Sequence, residues 1–362
     1  MRVVVGLSGG VDSAVAALLL KRAGGDIAGM FMQNWEEDEP DSACRADEDR
    51  KDALAVCAAL GIPFHARNFA LEYRERVFAH FLAEYRAGRT PNPDVLCNRE
   101  IKFRTFLDAA RELGAGKMAT GHYARIGRSD GRWKLRRALD ADKDQTYFLH
   151  ALDQEQLGAA LFPLGELRKP QVRALARDAG FAVHDKKDST GICFIGERDF
   201  RDFLSKYLPA QPGELRTPEG EMLGEHHGAM FYTPGQRAGL RIGGKAGSNG
   251  QPWYVVGKDV RKNIVYVAQG AQNRWLMSQT LVAENVNWIA GHAPALPLRC
   301  EAMVRYRQTP QACEIDSGDG GINVRFGEMQ RAIAPGQSVV FYAGDECLGG
   351  GVIASTATEI IP

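Results

Sequence analysis

Val3-Val4-Val5-Gly6-Leu7-Ser8-Gly9-Gly10-Val11-Asp12-Ser13-Ala14-Val15 is the stretch on which the reading of this chain turns. Val3 to Val5 is a short apolar run of the kind a buried parallel strand needs. From there on, Val11, Val15, Leu18 and Leu19 fall on one helical face. The glycines therefore join a strand end to a helix N-terminus, where free backbone N–H groups and the helix dipole favour an anion. Gly9 and Gly10 allow a tight turn and let a phosphate approach the backbone without meeting a Cβ. Ser8 and Ser13 add hydroxyl donors, and Asp12 is placed to orient a metal or a backbone amide. The loop is expected to bind phosphate.

Two commoner phosphate loops are excluded. No lysine follows the glycines as a Walker A loop requires, and the G-x-G-x-x-G of dinucleotide sites is absent. The pattern Ser-Gly-Gly-x-Asp-Ser resembles the pyrophosphate-binding loop of the ATP-pyrophosphatase (PP-loop) superfamily, whose members split ATP between its α and β phosphates.

At 362 residues the chain is expected to form two or three domains of about 150 residues. Its 44% hydrophobic and 25% charged content is that of an ordinary globular protein. No apolar run reaches the ~18–20 residues of a membrane span, and the chain enters its first strand with no signal-peptide pattern. Seven scattered cysteines argue for the reducing cytoplasm rather than a disulfide scaffold. Net charge is zero, but its distribution is uneven: Glu36 to Glu39 with Asp41 is acidic, while Arg125, Arg128, Arg132, Lys134, Arg136 and Arg137 form a basic stretch. The latter suits either a phosphate-binding surface or a solvated hairpin.

Ile27 to Met32, Phe64 to Phe69 and Lys117 to Thr120 read as further buried strands, with helices predicted over 47–60, 71–86 and 94–113. Such alternation predicts an α/β fold with a doubly wound parallel sheet. In these sheets ligands sit beyond the carboxyl ends of the strands, where the opening loop, Met32 and Gly121-His122 all fall. Helices continue to about Tyr207. Short strands are then predicted at 213–217, 229–232, 253–256 and 264–267, giving a small β-rich unit over 208–275, with 243–250 a flexible loop by composition. Strands at 298–307, 322–326, 338–342 and 348–354 predict a C-terminal β-barrel over 276–362. The catalytic unit would be 1–207.

Cys97 lies near a predicted helix start, where the dipole lowers a thiol's pKa; Cys193 follows Lys186 and Lys187, which also favour thiolate. Cys57, Cys300, Cys313 and Cys347 have apolar neighbours and read as buried hydrophobes. With no C-x-x-C pair, neither a zinc site nor a cysteine-ligated cluster is expected.

Gly88-Arg89-Thr90-Pro91-Asn92-Pro93-Asp94-Val95-Leu96-Cys97-Asn98, followed by Ile101-Lys102-Phe103, resembles the nucleophile motif of bacterial tRNA-specific 2-thiouridylases. Asp188 to Gly196 is similar to that family's persulfide motif around Cys193. Phe31 to Trp35, Thr120 to Tyr123, Lys143 to Tyr147, Arg305 to Gln308 and Gly349 to Gly351 match in the family's order. The resemblance implies an adenine nucleotide alpha hydrolase-like fold and ATP-dependent sulfur transfer to C2 of the wobble uridine in tRNAs for lysine, glutamate and glutamine. It implies Cys97 as nucleophile and Cys193 as persulfide carrier, with a disulfide forming between them as sulfur leaves. It places ATP against Gly6, Leu7, Ser8, Gly9, Gly10, Val11, Asp12, Ser13, Met32 and Gly121, with Mg²⁺ offsetting the pyrophosphate charge. It places tRNA against Asn92, Pro93, Asp94, His122, Lys143, Asp144, Gln145, Arg305, Tyr306 and Gln337, and requires a persulfide donor protein.

The barrel has a reading of its own. On a strand over 298–307, Arg299, Arg305 and Arg307 share one face, suited to phosphate, and Tyr306 lies on the other, suited to base stacking. A PP-loop ligase or amidotransferase acting on a small molecule is the rival reading, but it leaves the two cysteines and the barrel without a role.

Overall fold

The computed structural model describes residues 1–36, 40–188, 200–243 and 250–357; side chains of 40–45 and 200–201 are not described. Cys193, residues 244–249 of the loop expected at 243–250, and most of the acidic run lie outside the described residues, as does the side chain of Cys44.

The first sheet contains β1 (Arg2–Leu7), β2 (Ile27–Gln33), β3 (Phe64–Asn68), β4 (Ala115–Ala119) and β7 (Ala160–Leu161) in the order β3-β2-β1-β4-β7, every pairing parallel. Val4 and Val5 are fully buried at its centre, as a strand covered on both faces requires. The helices Val11–Arg22 and Pro40–Leu60 follow β1 and β2. The two later predicted helices are each interrupted: 70–86 has a π segment at Arg74–Phe78, and 93–112 has one at Cys97–Thr105. Wide turns of this kind concentrate at functional positions.

The middle sheet has the order β10-β11-β8-β9, from β8 (Gly213–Arg216), β9 (Met222–His226), β10 (Trp253–Asp259) and β11 (Ile264–Gln269). The strand expected at 229–232 is instead a short 3₁₀ turn, Ala229–Phe231. Four consecutive apolar residues carry no period to separate a strand from a buried turn, and Gly228 with φ of 130° breaks the chain direction just before them.

The last sheet closes on itself. β12 (Met277–Trp288), β15 (Gly321–Arg331), β14 (Gln311–Gly318), β13 (Leu298–Met303), β16 (Ser338–Ala343) and β17 (Glu346–Thr356) pair in that order, and β12 also pairs with β17. This six-stranded barrel confirms the expected C-terminal architecture. Closure removes the free edges that an open sheet would expose. The hairpin β5 (Arg125–Ser129) and β6 (Arg132–Arg136) leaves the first unit and adds to the barrel by pairing β6 with β17.

That hairpin gives the basic stretch a job that neither reading named. Arg125 bonds the Arg137 carbonyl and pairs with Asp345, Lys134 pairs with Glu346, and the Arg137 guanidinium lies 3.9 Å from the Tyr342 ring centre. Much of the stretch is thus spent on joining the barrel. The arginine face expected on a 298–307 strand is also corrected. β13 ends at Met303, and Arg305–Gln308 is a turn in which Arg307 has φ of 63°. A period-2 argument cannot run through a turn, so Arg305 and Tyr306 need not face opposite ways.

His150 shows what this junction costs. It is 3% exposed, hydrogen-bonds the Tyr147 carbonyl, and packs its ring on Gly350. Burial first, and the Arg99 charge after it, push its imidazole down to about 4. The unfolded chain binds this proton more readily, so stability is lost as pH falls from about 6.5 towards 4. His150→Gln should flatten that slope by up to about 3 kcal/mol, measured by urea denaturation at pH 7 and pH 4.5.

Candidate active site at the glycine loop

Gly9 has φ of 71°, and a Cβ there would sit 2.5 Å from the Asp49 carbonyl oxygen. Only glycine fits. Gly10 caps the helix Val11–Arg22 with no side-chain cap bond, leaving the N-terminal amides to a ligand. Ser13, 4% exposed, accepts from the Ser8 amide and donates to the Gly10 carbonyl, so its hydroxyl shapes the loop; Ser8 is exposed. A Cβ on Gly121 would lie 2.6 Å from the Ser13 amide nitrogen, so the β4 end crosses directly over the helix start. Met32 and Phe106 both lie against Gly6. Gly9→Ala should weaken ATP binding at least tenfold with the fold intact, read by equilibrium dialysis and circular dichroism.

Asp12 does something other than expected. Its carboxylate accepts from Tyr123 Oη at 2.9 Å and from Lys169 Nζ at 2.8 Å on both oxygens. It holds neither a backbone amide nor, among the described residues, any cluster suited to a metal. Lys169 Nζ also lies 2.7 Å from Asp188 Oδ1, and Asp188 is bonded in turn by Lys143 at 2.7 Å and Arg173 at 3.0 Å. Burial alone would raise the Asp188 pKa, but the bonds from Lys143 and Lys169 prevail and hold it down at about 2. Three cations thus meet two carboxylates beside a helix N-terminus. The excess charge suits a phosphate chain.

Lys186 donates to the Gly9 carbonyl at 3.0 Å and pairs with Asp49 and Asp52 of the helix Pro40–Leu60. Burial would lower its pKa, but these two carboxylates raise it. It therefore braces the loop.

Cys97 is fully buried. Its helix starts at Pro93 behind Asn92, so Cys97 stands one turn in, beyond the first turn to which the dipole effect is confined. The same helical stretch forms a wall of the nucleotide site: Phe106 lies against Gly6, and the Phe103 ring is 5.8 Å from His122, the neighbour of Gly121. Burial and the charge of Lys102 push the His122 imidazole well below its ordinary value, so it is neutral. Asp94 is raised by burial, which Lys102 opposes.

The structure places the expected tRNA residues in two groups. Asn92, Pro93, Asp94 and His122 lie around the Cys97 helix; the Tyr306 ring packs at a tilt against Phe148, centres 4.5 Å apart, beside the exposed Arg305. Asp144 and Gln145 are occupied internally. Asp144 accepts from the Ala138 amide and Thr146, and Gln145 accepts from the Tyr123 amide. Gln337 is also engaged, donating to the Thr90 carbonyl at 2.8 Å. The sequence reading missed Lys169 and Arg173. One signal was available, because Lys169 opens a helix (Lys169–Asp178) where the dipole disfavours a cation.

A parallel sheet whose first strand feeds this glycine loop, with cations converging on the helix start, defines a PP-loop nucleotide-binding unit. Residues 1–197 match the tRNA methyl transferase HUP domain family, 201–269 the tRNA methyl transferase PRC-barrel domain, and 278–353 the aminomethyltransferase beta-barrel domain. The chain is 58% identical over 98% of its length to a tRNA-specific 2-thiouridylase of Xanthomonas euvesicatoria, covering 94% of that protein. It is equally similar to that of Nitrosococcus oceani, covering 97%, and is 57% identical to that of Stenotrophomonas maltophilia, covering 94%. The chain belongs to the tRNA-specific 2-thiouridylase family, and it is a sulfurtransferase of the PP-loop superfamily.

Proposed function

We propose that the protein uses ATP and a persulfide to convert the wobble uridine, position 34, of tRNAs for lysine, glutamate and glutamine into 2-thiouridine. The observation that carries this reading is the shared wall: one helical stretch bears Cys97 and, nine residues on, the Phe106 that packs on the glycine loop. A phosphate site and a cysteine built on one element suit a reaction in which activation and sulfur delivery meet at one base.

The uridine O2 attacks the α-phosphate of ATP, giving an adenylated base and pyrophosphate. Glycine-loop amides and the cation group around Lys169 receive the leaving pyrophosphate, and Mg²⁺ arriving with ATP offsets its charge. A donor protein loads Cys193 with a sulfane sulfur. The terminal sulfur of that persulfide attacks C2, expelling AMP. The Cys97 thiolate then attacks the Cys193 sulfur, breaking the S–S bond; this frees 2-thiouridine and leaves a Cys97–Cys193 disulfide for a two-electron reductant to reset. The alternative, in which Cys97 releases sulfide for the attack, gives the same products. Since Cys97 is fully buried, its segment must open for either route. The disulfide needs Cα atoms about 4.4–6.8 Å apart. The reducing cytoplasm suits two reactive thiols.

The test is incubation of the protein with ATP, Mg²⁺, a persulfide donor and unmodified tRNA, followed by nucleoside analysis. Formation of 2-thiouridine with one pyrophosphate per sulfur supports the reading. Pyrophosphate release with a small-molecule acceptor and no tRNA would instead favour a ligase or amidotransferase.

A further inference from the structure

Residues 88–91, which lead into the Cys97 helix, are gripped from two sides. On the barrel side, the Thr90 amide donates to the Pro335 carbonyl at 2.8 Å. Gln337 Nε2 donates to the Thr90 carbonyl at 2.8 Å and to the Pro91 carbonyl at 3.3 Å. A Cβ on Gly336 would sit 2.7 Å from the Thr90 amide nitrogen, so the two backbones are in direct contact. Arg89, paired with Glu84 of its own unit, also lies 3.5 Å from Glu284 of β12. On the middle side, the Thr90 and Thr233 hydroxyls are 3.0 Å apart, and Gly88 packs on Val260. Gln337 itself is fixed to the barrel, its carbonyl accepting from the Ile353 amide of β17 at 2.8 Å.

We infer that Gln337 is a positioning residue for Cys97, acting as a latch through which the barrel sets where the nucleophile segment starts. The inference rests on the proposed thiolation. Its side-chain amide reaches two consecutive backbone carbonyls, Thr90 and Pro91, six residues before the sulfur. Pro93, at the helix start, has no N–H to anchor it, so the entry is oriented by the grips on residues 88–91 that precede it. A cavity of about 430 Å³ opens behind the latch, bordered by Gly88, Thr90, Pro234, Trp275 and Pro335, and gives the segment room to shift. Engagement of tRNA by the barrel is thereby transmitted to a cysteine that is buried at rest.

Gln337→Glu keeps the shape but turns the donor into an acceptor facing two carbonyls. The expected result, at saturating tRNA, is a fall of about tenfold or more in the single-turnover thiolation rate. Gln337→Lys, which restores a donor, should recover part of the rate. Hydrogen exchange of the 88–97 amides, measured without tRNA or ATP, should quicken in Gln337→Glu. Thr233→Val, which removes the middle-side contact, should quicken it less. A role confined to contact with tRNA gives the opposite pattern, a weakened Kd with unchanged rate at saturation and unchanged exchange, and would overturn the inference. The exchange experiment needs no thiolation, so it judges the latch even if the parent protein makes no 2-thiouridine. If Gln337→Glu is unfolded by circular dichroism, Gln337→Met, which removes the donor without adding a charge, takes its place: unchanged exchange at 88–97 overturns the latch.

Discussion

Cys97→Ser is expected to abolish 2-thiouridine formation, a loss on the order of 10³-fold or more, while tRNA-dependent pyrophosphate release continues. The separation follows from the geometry. Among the described residues the glycine loop is held by Ser13, Gly121 and Lys186. Serine is nearly isosteric with cysteine, so the fully buried site should keep its packing around Phe103 and Phe106. The hydroxyl cannot take up or release sulfane sulfur at neutral pH, so the adenylated uridine would hydrolyse or return. The measurement pairs nucleoside analysis with a pyrophosphate assay on one sample. Full thiolation by Cys97→Ser would remove Cys97 from the mechanism. Loss of both products would instead make it a determinant of the nucleotide site.

Lys169→Met is expected to give the complementary result, a fall on the order of 10²-fold in pyrophosphate release and in thiolation alike. Lys169 is the cation that touches both Asp12 of the loop and Asp188, the residue before the stretch that contains Cys193. Its side chain is only 10% exposed while the two carboxylates are 31% exposed, so water would compensate them only in part. Removing it takes the cation from Asp12 and one positive charge from beside the place where pyrophosphate must leave. Lys143 and Arg173 still hold Asp188, so the fold should survive, and Lys169→Arg should restore part of the activity. The rate of pyrophosphate release with tRNA and ATP at saturation is the deciding quantity. An unchanged rate with a raised KM for ATP would confine Lys169 to ground-state binding.

Gly9, Gly10, Ser13 and Asp12 were legible in the sequence because a strand, a glycine pair and a helix start are local features. So was the order of motifs that ties the chain to its family. The individual jobs were less legible. Asp12 read as a partner for a metal or an amide, since its true partners, Tyr123 and Lys169, lie 111 and 157 residues away. Lys186 read as a neighbour of the thiolate because it is seven residues from Cys193, yet its Nζ is committed to Gly9, Asp49 and Asp52. Arg305 and Tyr306 read as opposite faces of a strand, and no local signal marked the end of β13 at Met303.

The sequence by itself determined the parallel α/β sheet, the phosphate loop, the closing barrel and the family, because periodicity and short motifs are written within a few residues of one another. Only the tertiary structure decided which charges meet, that much of the basic hairpin is spent on joining the barrel, and that Cys97 rests fully buried. Those outcomes depend on which side chains arrive at one point from distant segments, and pairing between charges or hydrogen-bonding groups leaves no period in the sequence.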